Sequence, residues 1–171
     1  MTLIIEAISR LHDRNAFDCS VVGLNHFFKH QARQKPVKHT SKTYVACQDS
    51  RPTSVVGYYT LTGYSVLTPP EHRVYKKYPH PLSAIKLARL AVDRSHQRKR
   101  VGEILLIDAI NRTARAAEQI SAIGLFVDPM TPEVVPFYSQ YGFLPADPAD
   151  SSRIELWLPI DSCIDLSNSL S

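Results

Sequence analysis

Residues 2–8 alternate and carry Ile4, Ile5 and Ile8, a pattern that predicts a first strand. A helical spacing follows over 25–34, where Leu24, Phe27, Phe28 and Gln31 fall at i, i+3, i+4 and i+7, and Pro36 is expected to end it. Residues 43–48 (TYVACQ) and 54–67 (SVVGYYTLTGYSVL) are rich in β-branched and aromatic side chains. With DSRPT as a turn between them they predict an antiparallel hairpin. A Pro-bracketed loop precedes a strand over 83–92 (SAIKLARLAV). The clearest helix is 101–118, with Asp108, Asn111, Arg112 and Arg115 as a polar stripe opposite Leu105, Leu106, Ala109, Ala116 and Ala117. The apolar run 120–127 (ISAIGLFV) has strand length and suits a parallel strand covered on both faces. Thr131 and Pro132 are placed to open a short helix over 133–140 that stops near Gly142, and 152–158 (SRIELWL) is the last strand. The order β-α-β-β-β-α-β-α-β is a mixed α/β (α+β) domain with one β–loop–α–β unit in its middle.

Length and composition agree with one globular domain: 171 residues, 44% hydrophobic, 21% charged and no low-complexity tract. A chain of this size buries roughly two-thirds of its unfolded surface, enough for a core without metal or disulfide staples. Cys19, Cys47 and Cys163 cannot all pair and match no zinc spacing, so they are expected as reduced core thiols, with no metal site. No apolar run reaches the ~20 residues of a membrane span, and residues 1–14 lack the features of a signal peptide. These traits predict a cytoplasmic protein with no membrane contact.

Charge is unevenly placed. The formal net charge is +4, yet 146–171 holds Arg153 against five acids, a net −4, so the first 145 residues carry +8. From Cys19 to Gln48 no acid interrupts Lys29, Arg33, Lys35, Lys38 and Lys42, and Arg94, Arg98, Lys99 and Arg100 form a second such block. Basic blocks suit polyanions, either cofactor phosphates or a nucleic acid.

The second block lies where a strand feeds a helix. Such a join aims free backbone N–H groups and a positive dipole end at one spot, an anion site. Gln97, Arg98, Lys99, Arg100, Val101 and Gly102 make up the turn. Gly102 lets the backbone approach a phosphate, and the three basic side chains stand beside it. Neither a Walker loop nor a dinucleotide fingerprint is present, so a pyrophosphate held by this single turn is the reading that fits.

Here the sequence resembles the GNAT superfamily of N-acetyltransferases. The family's acyl-CoA loop, Q/R-x-x-G-x-G/A, stands as Gln97-x-x-Arg100-x-Gly102, after LARLAVDRSH and before EILLIDAI. Arg100 takes the place of a glycine, so the cradle requires a glycine-like backbone at this arginine. Downstream, Phe137, Tyr138, Gly142 and Phe143 resemble the family's FY-x-x-x-GF segment. Phe17, Asp18, Cys19, Leu24 and Asn25 are similar to the opening of the TacT/AtaT-like toxins of bacterial toxin–antitoxin modules. The similarity spans residues 3–158, so 1–160 is expected as a single GNAT domain and 161–171 as an acidic, polar tail.

The resemblance implies a central mixed, mostly antiparallel sheet flanked by helices, with the acyl-CoA site at a β–loop–α join. It implies an enzyme that moves acetyl from acetyl-CoA to the α-amine of an aminoacyl-tRNA and so blocks translation. An antitoxin with a ribbon-helix-helix part would hold it in check and carry it to operator DNA, and a homodimer is expected. The backbone of Leu90, Ala91 and Val92 would take the pantetheine arm, and Tyr138, with Tyr141 as competitor, would protonate the departing thiolate. No carboxylate or histidine stands at a motif position as a dedicated base. This favours an α-amine, pKa about 7.7–8.0, over a lysine at about 10.4. Lys29, Arg33, Lys35 and Arg89 are candidate tRNA contacts, with Lys38, Lys42, Arg73, Lys76 and Lys77 extending the track. A GNAT acting on a small amine or a protein N-terminus, and a catalytically inactive CoA-binding module, are the alternatives.

Overall fold

In the computed structural model, which describes residues 1–67, 70, 72, 74–79, 81–150 and 152–170 (for residue 36 the backbone only), seven strands form one sheet. They are β1 (Leu3–Ala7), β2 (Lys42–Gln48), β3 (Arg51–Val66), β4 (Leu82–Val92), β5 (Gly124–Val127), β6 (Leu144–Pro145) and β7 (Leu156–Pro159), in the order β1-β2-β3-β4-β5-β7-β6. β4 and β5 run parallel, whereas β1–β2, β2–β3, β5–β7 and β6–β7 are antiparallel. The helices are α1 (Val22–His30), α2 (Gln34–Val37), α3 (Val101–Ala116), α4 (Val135–Ser139) and α5 (Ile160–Ser169). The mixed, mostly antiparallel sheet with flanking helices is the architecture expected from the sequence. Among the described residues, no helix is long and apolar enough to cross a membrane, and no group of three His, Cys, Asp or Glu residues is placed to hold a metal ion.

The chain forms two compact units. The first comprises Met1–Thr62 and Ala88–Ala109. Its sheet is covered on both faces because side chains alternate along β3. Tyr58 points to the α1 side, where its ring stacks on Phe28 at 4.5 Å and meets Phe17 at 5.5 Å, and its hydroxyl donates to the Leu24 carbonyl at 2.8 Å. Gly57 and Tyr59 point to the α3 side. A Cβ on Gly57 would lie 2.8 Å from Leu105 Cδ1, 3.1 Å from the Ala91 carbonyl and 3.2 Å from Val101 Cγ1, so glycine here lets the first turns of α3 lie close against the sheet. The Tyr59 hydroxyl reaches the Asp108 carboxylate at 2.5 Å. Asp108, expected on the polar stripe of this helix, therefore faces the sheet.

The second unit comprises Gly63–Leu87 and Ile110–Ser171. β4 pairs with β5 as Ile85↔Leu125, Lys86↔Phe126 and Leu87↔Val127, and β5 pairs with β7 as Phe126↔Trp157. One face carries the stacked pair Phe126–Trp157 at 5.4 Å with Tyr64 against Phe126. In that row the Lys86 amine sits 2.6 Å from Asp128, 3.2 Å from Glu155 and 4.3 Å above the Tyr64 ring. A Cβ on Gly124 would meet the Leu158 carbonyl oxygen at 2.4 Å, which reserves that position for glycine.

Several boundaries differ from the expectation. α1 ends at His30, and Pro36 lies inside α2 rather than ending a helix; four residues make one turn, where a missing N–H costs nothing. The β2–β3 turn is Asp49 and Ser50 alone, because Gln48 already pairs with Arg51. The strand expected over 120–127 is confined to β5, and Ile120 is exposed. Thr131 precedes a 3-10 turn, Pro132–Val134, without a side-chain capping bond, and α4 follows it. The last strand begins at Leu156, not at residue 152. Residues 161–169, expected in a polar tail, are helical: α5 packs on β5 and β7 with Cys163 fully buried beneath it.

Candidate active site

The end of β4 and the start of α3 build one site within the first unit. The parallel ladder to β5 stops at Leu87, so among the described pairings Leu90, Ala91 and Val92 carry no β5 bond. Asp93 then donates its N–H to the Val56 carbonyl at 2.8 Å. Its side chain caps the 3-10 turn Arg94–His96, accepting from the Ser95 N–H at 3.1 Å and from the Ser95 hydroxyl. Partial burial pushes the Asp93 carboxyl up. The Ser95 hydroxyl, the Asp18 and Ser95 N–H groups and His96 outweigh this and hold it below the usual carboxylate range. His96 shares the Ser95 hydroxyl at 2.9 Å and is part of this local network.

Past the turn the backbone adopts an unusual conformation. Gln97 is extended, Arg98 has φ +60° and Arg100 has φ +66°, whereas Lys99 and Val101 are not in the positive-φ region. Alternating φ signs turn successive N–H groups into one concavity, the arrangement known as a nest. Arg100 thus takes the left-handed conformation that glycine adopts freely, at a cost of roughly 1–2 kcal/mol. The site accepts this cost because the helix begins here: Ile104 donates to the Arg100 carbonyl at 3.1 Å, the first bond of α3. The N–H groups of Val101 and Gly102 open the helix at its positive dipole end.

The side chains divide into two sets. Arg98 and Lys99 are exposed beside the nest. Arg100 is instead held by Glu103, Nε to Oε2 at 2.8 Å and a terminal nitrogen to Oε1 at 3.3 Å, so it offers backbone geometry more than charge. This pairing was not anticipated. An acid three residues into a helix after an arginine is a common local pair, so the signal was in the sequence. The Gln97 amide donates to the Val92 carbonyl at 3.0 Å and the Cys19 carbonyl at 3.4 Å, tying the loop down rather than reaching outward. The donor set suits a diphosphate: a concave row of N–H groups, a helix dipole and two exposed cations.

The basic residues near α1 do not form one helix face. Lys29 lies in the last turn of α1, Arg33 in the connection, Lys35 in α2, and Lys38 and Lys42 are exposed beyond it. Arg89, on β4, lays its guanidinium 3.7 Å from the centre of the Phe27 ring and so joins the α1 side. Lys76 and Lys77 are exposed in the second unit, and Arg73 lies outside the described residues.

Tyr138 belongs to the second unit, on α4. It is 7% exposed, with Phe137 and Phe143 edge-on at 5.0 and 5.6 Å. Burial pushes its hydroxyl up to about 12. Tyr141 is only half-buried, and Gly142, at φ +95°, ends the segment.

The sequence pattern of the acetyltransferase (GNAT) family matches residues 10–143. The chain is 35% identical over 144 residues to the tRNA-acetylating toxin of Mycobacterium tuberculosis, covering 82% of this chain and 85% of that one. Among solved structures, AtaT complexed with acetyl-methionyl-tRNAfMet superposes with a TM-score of 0.84 at 28% identity, covering 94% and 96% of the two chains. A tyrosine-to-phenylalanine variant of AtaT, bound to the C-terminus of the antitoxin AtaR and to acetyl-CoA, superposes at 0.78 with 29% identity, covering 98% and 99%. With the family pattern spanning most of its length and the strand–nest–helix join in place, this chain belongs to the GNAT family of acetyltransferases.

Proposed function

We propose that the chain is a toxin that transfers acetyl from acetyl-CoA to the α-amino group of an aminoacyl-tRNA and so blocks translation. The observation that carries this reading is the left-handed backbone at Arg98 and Arg100, which restores the cradle that an arginine in a glycine position would otherwise spoil. Residues 97–102 hold the diphosphate of acetyl-CoA. The N–H groups of Val101 and Gly102 and the side chains of Arg98 and Lys99 do most of this work. Acetyl-CoA supplies an activated thioester, and transfer makes a C–N bond as the C–S bond breaks. The backbone of Leu90, Ala91 and Val92 aligns the pantetheine arm, and a main-chain N–H there polarises the thioester carbonyl. One such donor is worth about 3–4 kcal/mol in the transition state.

Tyr138 donates a hydrogen bond to the departing sulfur. With its pKa near 12, full transfer of its proton to a thiolate of pKa about 8.5 is uphill by about 5 kcal/mol. The tyrosine therefore stabilises developing charge more than it gives up a proton, and the proton lost by the attacking nitrogen restores the balance through water. An α-amine with pKa about 7.7–8.0 is substantially neutral near pH 7.5 and reacts without a strong base.

Lys29, Arg33, Lys35 and Arg89 contact tRNA phosphates, a surface that a small acceptor would not need. Support also comes from the relatives, one a tRNA-acetylating toxin and one solved with acetyl-methionyl-tRNAfMet. The toxin acts in the cytoplasm, forms a homodimer, and is neutralised by an antitoxin whose ribbon-helix-helix part binds operator DNA. The test is incubation with labelled acetyl-CoA and charged total tRNA, followed by identification of the labelled species. N-acetyl-aminoacyl-tRNA is the expected product. Label confined to small amines or protein N-termini overturns the reading.

A further inference from the structure

The segment between β1 and α1 presents Phe17-Asp18-Cys19 to the loop that precedes α3, Asn25 on α1 backs it, and nothing in the reaction above uses them. Arg94 donates its N–H to the Asp18 carbonyl at 2.8 Å, and Asp18 donates its own N–H to Asp93 Oδ1 at 3.0 Å. Asp18 and Asp93–Arg94 are thus joined in both directions. The Gln97 amide adds a bond to the Cys19 carbonyl. Most of residues 94–100 are exposed, so little apolar burial holds this loop, and these bonds, with those from Asp93 to Val56 and from Gln97 to Val92, set its position.

Asp18 is in turn fixed by its side chain. Its Oδ1 accepts from the Ser20 N–H at 2.8 Å and from the Asn25 amide at 2.9 Å, and Ser20 turns the chain with φ +68°. Asn25 Oδ1 accepts from the Cys19 N–H at 2.9 Å and from its thiol at 3.1 Å. The Ser20 bond first, then the Asn25 bond, hold the Asp18 carboxyl below its ordinary value, so it stays an acceptor at neutral pH.

We propose that Asp18 and Asn25 are positioning residues for the diphosphate loop, bracing residues 93–97 against the N-terminal turn of α1. This rests on the reading that 97–102 holds acetyl-CoA. Because Asn25 lies on α1, the same brace fixes the helix that carries Lys29 and the Phe27–Arg89 stack relative to that loop. Small displacements of a positioned group weaken binding and turnover well beyond the loss of one contact.

The experiment is calorimetric titration of the full chain with coenzyme A, with the thermal midpoint of each variant measured alongside. Asp18→Ala and Asn25→Ala should raise Kd at least tenfold. Asp18→Asn should bind within about threefold of the parent, because an amide oxygen still accepts from Ser20 and Asn25. If Asp18→Ala does not fold, Asn25→Ala carries the test, since it leaves the Asp18–Ser20 bond in place. Parent-like Kd in Asn25→Ala, with or without a lowered midpoint, makes the pair merely structural and overturns the proposal. A parent that binds no coenzyme A sinks the functional reading, and this proposal with it; binding by the parent with no effect of the variants sinks this proposal alone.

Discussion

Arg100 holds a left-handed backbone and Tyr138 a buried hydroxyl, and both stand in the roles proposed above. Tyr138 is buried against Phe137 and Phe143, and burial pushes its hydroxyl up to about 12, so it keeps its proton at neutral pH. Tyr138→Phe keeps the ring packing, so it should fold, bind acetyl-CoA as the parent does, and lose turnover by 10²-fold or more. Steady-state kinetics with charged tRNA decide this; an unchanged kcat removes Tyr138 from the chemistry. For Arg100, the side chain is spent on Glu103 while the backbone shapes the nest. Arg100→Gly relieves the left-handed cost of roughly 1–2 kcal/mol and gives up the pair with Glu103, worth less than about 1 kcal/mol. The variant should match or exceed the parent in thermal midpoint and bind coenzyme A equally well. Arg100→Val, β-branched at positive φ, should lower both, and equal affinity in the two variants would show that the backbone conformation does not matter.

At the scale of elements, the first turns of α3 depend on Gly57 across the sheet. Gly57→Ala places a methyl 2.8 Å from Leu105 Cδ1, which can move, and 3.1 Å from a backbone oxygen, which cannot. Overpacking of this kind costs about 1–3 kcal/mol. Because the helix carries the Val101 and Gly102 N–H groups, coenzyme A affinity should fall together with the urea midpoint. A stable variant with weaker binding is compatible with this coupling; a destabilised one with unchanged affinity is not. Much of this element framework was legible in advance. The β-branched and aromatic content of TYVACQ and SVVGYY, the period of α3 and the FY-x-x-x-GF segment each named an element that exists. What was not legible has physical causes. An arginine carries no sign of left-handed backbone; only its place in the loop pattern points there. Asp108 resembles a solvent residue until Tyr59, 49 positions away, offers a hydroxyl. The C-terminal helix was hidden by its acids, although Ile160, Cys163 and Ile164 have helical spacing and Cys163 is fully buried. The bracing role of Asp18 depends on pairing with Asp93, 75 residues away, which no local pattern encodes.

Over the whole molecule, two distributions have measurable consequences: buried neutral acids and the cations around α1 and α2. Burial pushes the Cys47 thiol up to about 11 and the Cys163 thiol up to about 12, and it raises Tyr58 further still, alongside Tyr138. Each folded value lies above its unfolded one, so each group favours the fold fully below its unfolded pKa and loses that contribution as pH rises through the folded value. Thermal midpoints should be level between pH 7 and 8 and decline from about pH 9 towards 11; a midpoint still level at pH 11 contradicts this. The cations answer to salt rather than to pH. Lys29, Arg33 and Lys35 lie on α1, its connection and α2, so they meet a polyanion as a stripe rather than as one helix face. Each phosphate neutralised contributes about 0.7–0.9 to the slope of log affinity against log salt. Reversing all three to Glu should therefore flatten that slope by roughly two and raise KM for charged tRNA more than tenfold at low salt. Coenzyme A affinity should stay within about twofold, because Arg98, Lys99 and the backbone of 97–102, proposed above to hold the diphosphate, are left unchanged. Filter binding across a salt series and calorimetry separate the two effects, and an unchanged slope would take tRNA off this stripe while leaving the acetyl-CoA site intact.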